Sequence, residues 1–204
     1  MTDEREMILS RVRRALTPLA TRAALPPPEP GIAVMENMIA GRDRVELFAE
    51  RIKRVNGLAV TSPTVLVEHL RAGGWMRGYC DPVLWPHLAP HFAADFTVEL
   101  EFDRARIDDY AFGITRAAGA IAESGTIILN DATTVRRLAA LAPWVHVAVV
   151  ERATISANIS EAIARLGSDR NVIWCTGPSK TADVEGILIE GVHGPGAQIA
   201  LVVG

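Results

Sequence analysis

An α/β fold built on a largely parallel sheet is what this sequence predicts, and three observations predict it. Apolar runs of four to six residues recur through the second half of the chain without the polar alternation of a half-exposed strand. Stretches of about ten residues with helical apolar spacing separate them, as in a sheet covered on both faces. The composition, 49% hydrophobic and 22% charged over 204 residues, suits one folded domain with one core.

The elements follow in order. Ile8, Leu9, Val12 and Leu16 have helical spacing, which predicts a helix over residues 4–16. Pro18 ends it, and Pro26-Pro27-Pro28 favours an extended connector. Residues 1–30 therefore read as a helical arm with a proline-rich linker, and 31–204 as the α/β domain. A second helix is expected over 36–55, closed by Asn56-Gly57. Leu58-Ala59-Val60 reads as a buried strand, and Ser62-Pro63 opens a helix running to about Arg71. Strands are expected at 75–80 and 96–102, although Pro82, Pro86 and Pro90 interrupt the region between them. Further strands are predicted at 111–114, 126–129, 145–150, 171–175, 187–189 and 199–203. Helices are predicted at 116–123, 132–141 and 155–166.

Composition excludes several functions. A net charge of −3 leaves no electrostatic footprint for nucleic acid or anionic membrane. Two cysteines, Cys80 and Cys175, are too few for a structural zinc site or an iron–sulfur cluster, and no disulfide framework is indicated. The N-terminus is acidic at Asp3 and Glu4, unlike a secretory signal, and no apolar run approaches the ~20 residues of a membrane span. A cytoplasmic protein with no cofactor of its own is the expectation.

Three clusters carry potential chemistry. In Ala120-Ile121-Ala122-Glu123-Ser124-Gly125-Thr126 a carboxylate meets two hydroxyls and a glycine at a strand entrance, although a capped helix end with Glu123 in solvent accounts for the same residues. Thr176-Gly177-Pro178-Ser179-Lys180-Thr181-Ala182-Asp183 follows a strand. With Ser179 as a helix N-cap, free backbone N–H groups, hydroxyls and the Lys180 ammonium would form an anion site; an ordinary strand-to-helix turn is the alternative. Gly191-Val192-His193-Gly194-Pro195-Gly196 is a glycine-proline turn whose only titratable group is His193. Other signals fail. His87 and His91 lack the glutamate of a zincin, Ser124 lacks a nucleophile-elbow frame, and no dinucleotide-binding glycine motif is present.

Together, and with Gly113-Ile114-Thr115 before them, these segments resemble the LutC (YkgG) group of the LUD-domain family over about residues 110–203. Ser124 stands where that family usually has threonine, and Lys180 where it usually has arginine. The resemblance makes 31–204 a LUD-type domain. It implies a three-layer sandwich around a mostly parallel sheet, shared with glucosamine-6-phosphate deaminase, ribose-5-phosphate isomerase and CoA transferases. It also implies iron–sulfur protein partners that oxidise L-lactate to pyruvate. The expected ligand-binding set is Ser124, Gly125, Thr126, Gly177, Ser179, Lys180, Thr181, Asp183 and His193, with Glu123 as the candidate catalytic residue.

Two functions of different class stay open at this point. One is a non-redox accessory subunit of a lactate-oxidising complex with a carboxylate pocket, capable of forming a homo-oligomer. The other is a free-standing enzyme on a CoA-transferase-like scaffold, with Glu123 as nucleophile or base and Lys180 holding a phosphate or carboxylate.

Overall fold

The computed structural model describes residues 4–17, 39–166, 171–181 and 188–204, and divides into units 1–33 and 34–204. The first unit contributes α1 (Glu4–Leu16), as the apolar spacing predicts. Glu4 and Glu6 in its first turn and Arg13 and Arg14 in its last oppose the helix dipole favourably. The proline-rich linker lies outside the described residues.

In the second unit α2 spans Arg44–Arg54; of the helix predicted over 36–55, residues 36–38 lie outside the described residues and a turn over 40–43 precedes Arg44. Gly41 takes a left-handed φ of 73°, and Asp43 caps the helix by accepting from the Val45 and Glu46 N–H groups at 2.9 and 3.0 Å. At the other end Asn56 adopts φ 66°, the cap that Asn56-Gly57 suggests.

Six strands form an all-parallel sheet: β1 (Leu58–Val60), β2 (Arg77–Cys80), β3 (Thr97–Glu99), β4 (Phe112–Arg116), β7 (Val145–Glu151) and β12 (Ala197–Val203). Their order is β1-β12-β7-β4-β2-β3. On one face Val145, Val147, Val149, Ile199, Leu201, Phe112 and Ile114 pack with Leu66 and Leu70 of α3 (Pro63–Ala72) and Leu88 of α4 (Trp85–Leu88). On the other, Ala148, Val150, Ala200 and Val202 pack with Leu47, Phe48 and Ile52 of α2. Burial on both faces is why these strands are continuous apolar runs.

That second face is also covered by something the sequence pattern does not reveal. A four-stranded sheet, ordered β8-β5-β6-β9, joins β5 (Gly119–Ile121), β6 (Thr126–Asn130), β8 (Ile155–Ser156) and β9 (Val172–Cys175). Only its β5–β8 pair is parallel. The helix expected over 116–123 is therefore a strand. Ala120, Ile121 and Ala122 are buried, and a side chain at Gly119 would meet the Thr154 carbonyl, so packing overrides alanine's helical preference. The 171–175 strand exists but belongs to this second sheet. The helix expected over 155–166 gives its first two residues to β8 and becomes α6 (Ile159–Arg165), capped by Asn158 accepting from Glu161 N at 2.9 Å. The helix over 132–141 shrinks to α5 (Arg137–Leu141), because the Asn130 side chain and carbonyl first hold a turn through Thr133 and Thr134.

Candidate functional site

The helix expected after Ser179 is absent among the described residues. Lys180–Thr181 is a two-residue strand, β10, pairing antiparallel with β11 (Ile189–Glu190). An anion site built on a helix N-terminus there is thereby corrected. Residues 182–187, Asp183 included, lie outside the described set.

What replaces it is a pair of glycine turns clamped against the end of α2. Gly125 has φ 69°, and a Cβ there would stand 2.3 Å from the Ile52 amide nitrogen. Gly177 has φ 78°, with a Cβ 2.1 Å from the Val55 carbonyl oxygen. Only glycine meets both demands, left-handed backbone and no side chain. The clamps align three hydroxyls: Ser124 Oγ lies 2.7 Å from Thr126 Oγ1, which lies 2.8 Å from Thr176 Oγ1. Lys180 reaches the same helix end, where Nζ donates to Val55 O at 3.2 Å and stands 3.8 Å from Glu190. Asn56 Nδ2 completes the set by donating to Glu190 Oε1 at 2.8 Å. The ammonium thus faces carbonyls at the negative end of the helix dipole.

Glu123 turns elsewhere. Its Oε1 accepts from Ile159 N at 2.8 Å, placing the carboxylate on the first turn of α6, where an acidic group is favoured. Ser179 and His193, from different clusters, do come together. Ser179 N donates to Pro195 O, and Gly191 N donates to Ser179 O, both at 2.9 Å. With Gly177 they line a cavity of about 270 Å³. Thr181, half-buried in β10, pairs with Ile189.

The floor of this cavity holds two residues that motif reasoning missed. His146 of β7 and Gln198 of β12 are paired in register near the amino ends of their strands. His146 is 1% exposed, with Nε2 at 3.1 Å from Thr115 Oγ1, and burial pushes its pKa down to about 4, so the ring is neutral. Gln198 is 4% exposed, and its buried Oε1 has no hydrogen-bond partner among the described residues. Such an acceptor costs about 1–3 kcal/mol unless something donates to it. Cys175 forms part of the wall as a neutral thiol, pushed up to about 11 by burial. Apolar surface comes from Ala140 and Leu141 of α5. The sequence did contain a signal: each is a lone polar residue inside an apolar run that must be buried on both faces.

Comparisons with known proteins bear on the same region. A family model, the LUD domain, matches residues 88–203, which hold every motif and cavity residue named above. Lactate utilization protein C of Deinococcus radiodurans is 36% identical over 111 residues, 52% of this chain and 52% of that one. The Bacillus licheniformis protein of the same name is 34% identical over 106 residues, 48% and 44% of the two chains. The chain spans about half the length of the curated relatives it matches. A crystal structure of a DUF162 family protein from Deinococcus radiodurans aligns with TM-score 0.59 and 25% identity, covering 79% of this chain and 96% of that one. With more than half of its length matched by the family model, the chain belongs to the LUD-domain family.

Proposed function

We propose that this protein serves lactate utilization as a non-redox subunit that holds a small 2-hydroxy carboxylate in the cavity between the two sheets. The observation that carries the proposal is Gln198, which lines this cavity and whose buried Oε1 has no hydrogen-bond partner among the described residues. A hydroxyl on the ligand supplies the missing donor, the Ser179 and Thr176 hydroxyls and His193 suit its carboxylate, and Ala140 and Leu141 suit a methyl group. The names of the relatives support lactate as the acid.

Removing two electrons and two protons from lactate requires an acceptor. The chain's two thiols are both held protonated by burial, Cys80 up to about 12 and Cys175 up to about 11, and two cysteines fall short of a cluster's ligand set. We take the acceptors to be the iron–sulfur partner proteins that the family resemblance implies, with this chain's residues binding and orienting the acid. Glu123 takes no part, because its carboxylate is engaged with α6. We take the scaffold to be the three-layer sandwich of glucosamine-6-phosphate deaminase and CoA transferases, the second sheet belonging to one outer layer.

A site built to bond a hydroxyl discriminates against an analogue that lacks it. Calorimetric titration should show L-lactate binding at least tenfold tighter than propionate, and Gln198→Leu should erase that preference. Equal affinity of the wild-type protein for both acids would sink the proposal. Affinity purification from cells should also retain cysteine-rich partners.

A further inference from the structure

The carboxyl edge of the parallel sheet carries a second constellation, at the opposite edge from the cavity lined by Gly177, Ser179 and His193. Arg116 closes β4 and Asp81 follows β2, the neighbouring strand. Asp81 is buried, its Oδ2 accepts from Arg116 Nε at 2.9 Å and its Oδ1 accepts from Val83 N at 3.0 Å. The Arg116 carbonyl is held in turn by Thr134 Oγ1 at 2.8 Å. The guanidinium is thus gripped by one edge only. Among the described residues its two Nη nitrogens have no partner in hydrogen-bond range, and the side chain lines clefts on both sides.

The clefts differ in kind. One, about 520 Å³, runs over the carboxyl ends of β4, β7 and β12, and its floor is apolar: Leu84, Leu88, Val149, Leu201 and Val203. The other, about 590 Å³, lies toward β2 and β3 and adds a second cation, Arg136. Ligands of open α/β sheets bind at this edge, and volumes of 300–1,000 Å³ are those of small-molecule sites. Acidic groups mark the limits. Glu151 lines the first cleft two residues beyond Val149, roughly 6–7 Å farther along the strand, and Glu101 lines the second. An anionic head therefore sits at Arg116 rather than along β7.

We propose that this edge binds an amphipathic anion, with a carboxylate or phosphate head on the Arg116 Nη pair and an apolar body in the 520 Å³ cleft. Asp81 is the positioning residue. It fixes the guanidinium side-on and leaves the two-pronged face for the head group. The site lies at the opposite edge of the sheet from the lactate cavity and does not depend on it.

Octanoate, octyl phosphate and inorganic phosphate, each titrated into the full chain, separate the components. Octyl phosphate or octanoate should bind at least tenfold tighter than inorganic phosphate, and whichever of the two binds tighter identifies the head. Arg116→Gln should weaken that binding at least tenfold. Val83→Asp keeps the test decisive if Arg116→Gln fails to fold: Val83 is 61% exposed and lines both clefts, so a carboxylate there should repel the same probe without disturbing the core. Inorganic phosphate binding as tightly as octyl phosphate would remove the apolar body from the proposal. Absence of binding by both octyl probes, or binding unchanged in both variants, would overturn the site.

Discussion

At the amino edge of the six-stranded sheet, His146 and Gln198 are sealed inside the fold under turns whose glycines touch the backbone of α2. At the carboxyl edge of the same sheet, Arg116 and the exposed Arg136 stand at the rims of two clefts, and only Asp81 is buried. Both edges present polar groups to a cavity, but they maintain them differently. The amino-edge groups are uncharged and depend on close backbone packing for their positions. The carboxyl-edge groups are charged, and one ion pair positions them. Substitutions at the first should therefore act on folding as well as on binding, and at the second on binding with little effect on folding.

The largest effect should come from the glycine clamps. Gly125→Ala imposes a left-handed conformation on an L-residue and drives a methyl into the Ile52 amide and Cα, which belong to a helix that cannot yield locally. A left-handed residue costs about 1–2 kcal/mol and overpacking about 1–3, so a loss of about 3 kcal/mol is expected by chemical denaturation. Gly177→Ala should match it. Val83→Ala, on the exposed rim of the other edge, should change stability by under about 0.5 kcal/mol. Comparable losses at the two edges would break the comparison.

Next is the buried imidazole. Its pKa is lowered from 6.5 to about 4 by burial, so between those values the unfolded chain takes up a proton that the folded chain refuses. Stability therefore falls as pH drops through that window, by on the order of 3 kcal/mol, and levels off below it. Asp43 and Glu50 are held low, by the Glu46 N–H group and by Arg42 respectively, and Glu161 is held low, despite partial burial, by the Ala157 N–H group, so their contributions begin to be lost as pH falls through the ordinary carboxylate values, at the bottom of the histidine window. Unfolding curves at pH 7, 6 and 5.5 thus report chiefly the histidine, and His146→Gln should flatten that interval. His193 and Cys175 line the same cavity, but Cys175 stays neutral throughout.

Gln198→Leu should move stability the other way. It removes an unpaired buried acceptor and keeps most of the volume, so a gain of about 1 kcal/mol is expected in the ligand-free protein. A loss instead would mean that the amide is already satisfied, and the amino-edge cavity would lose its claim to a missing donor.

The parallel sheet was legible because two-sided burial writes itself as uninterrupted apolar runs: residues 145–150 and 199–203 could be little else. The second sheet was not. Gly119–Ile121 is short and lies within the alanine-rich stretch Ala117–Ala122, so its local preference is helical and only contact with β6 and β8 makes it a strand. The site divides in the same manner. Ser179 and His193 could be named from their turns, whereas the partnership of His146 with Gln198, fifty-two residues apart, is a fact of sheet order. Arg116 lay inside a stretch predicted to be helical, where it reads as one more surface cation. Asp81 gives it meaning, and that pairing also exists only across strands.

The smallest effect should be at Lys180, and it bears on where the amino-edge site ends. As a group on a turn beside hydroxyls, this ammonium resembles an anion anchor. Its position is against Val55 O and Glu190, and it is not among the residues that line the 270 Å³ cavity. Its work there is to cap the last turn of α2 and to hold β10 to β11 through a loose ion pair. A half-exposed ammonium in that role contributes under about 1 kcal/mol. Lys180→Ala should therefore lower the melting temperature by a few degrees at most and leave L-lactate affinity within about twofold, since Coulomb attraction from an already paired surface cation is weak in water. A tenfold loss of lactate binding with unchanged stability would move the ammonium into the binding site. The amino edge would then resemble the carboxyl edge, with a charge rather than an orphaned amide selecting its ligand.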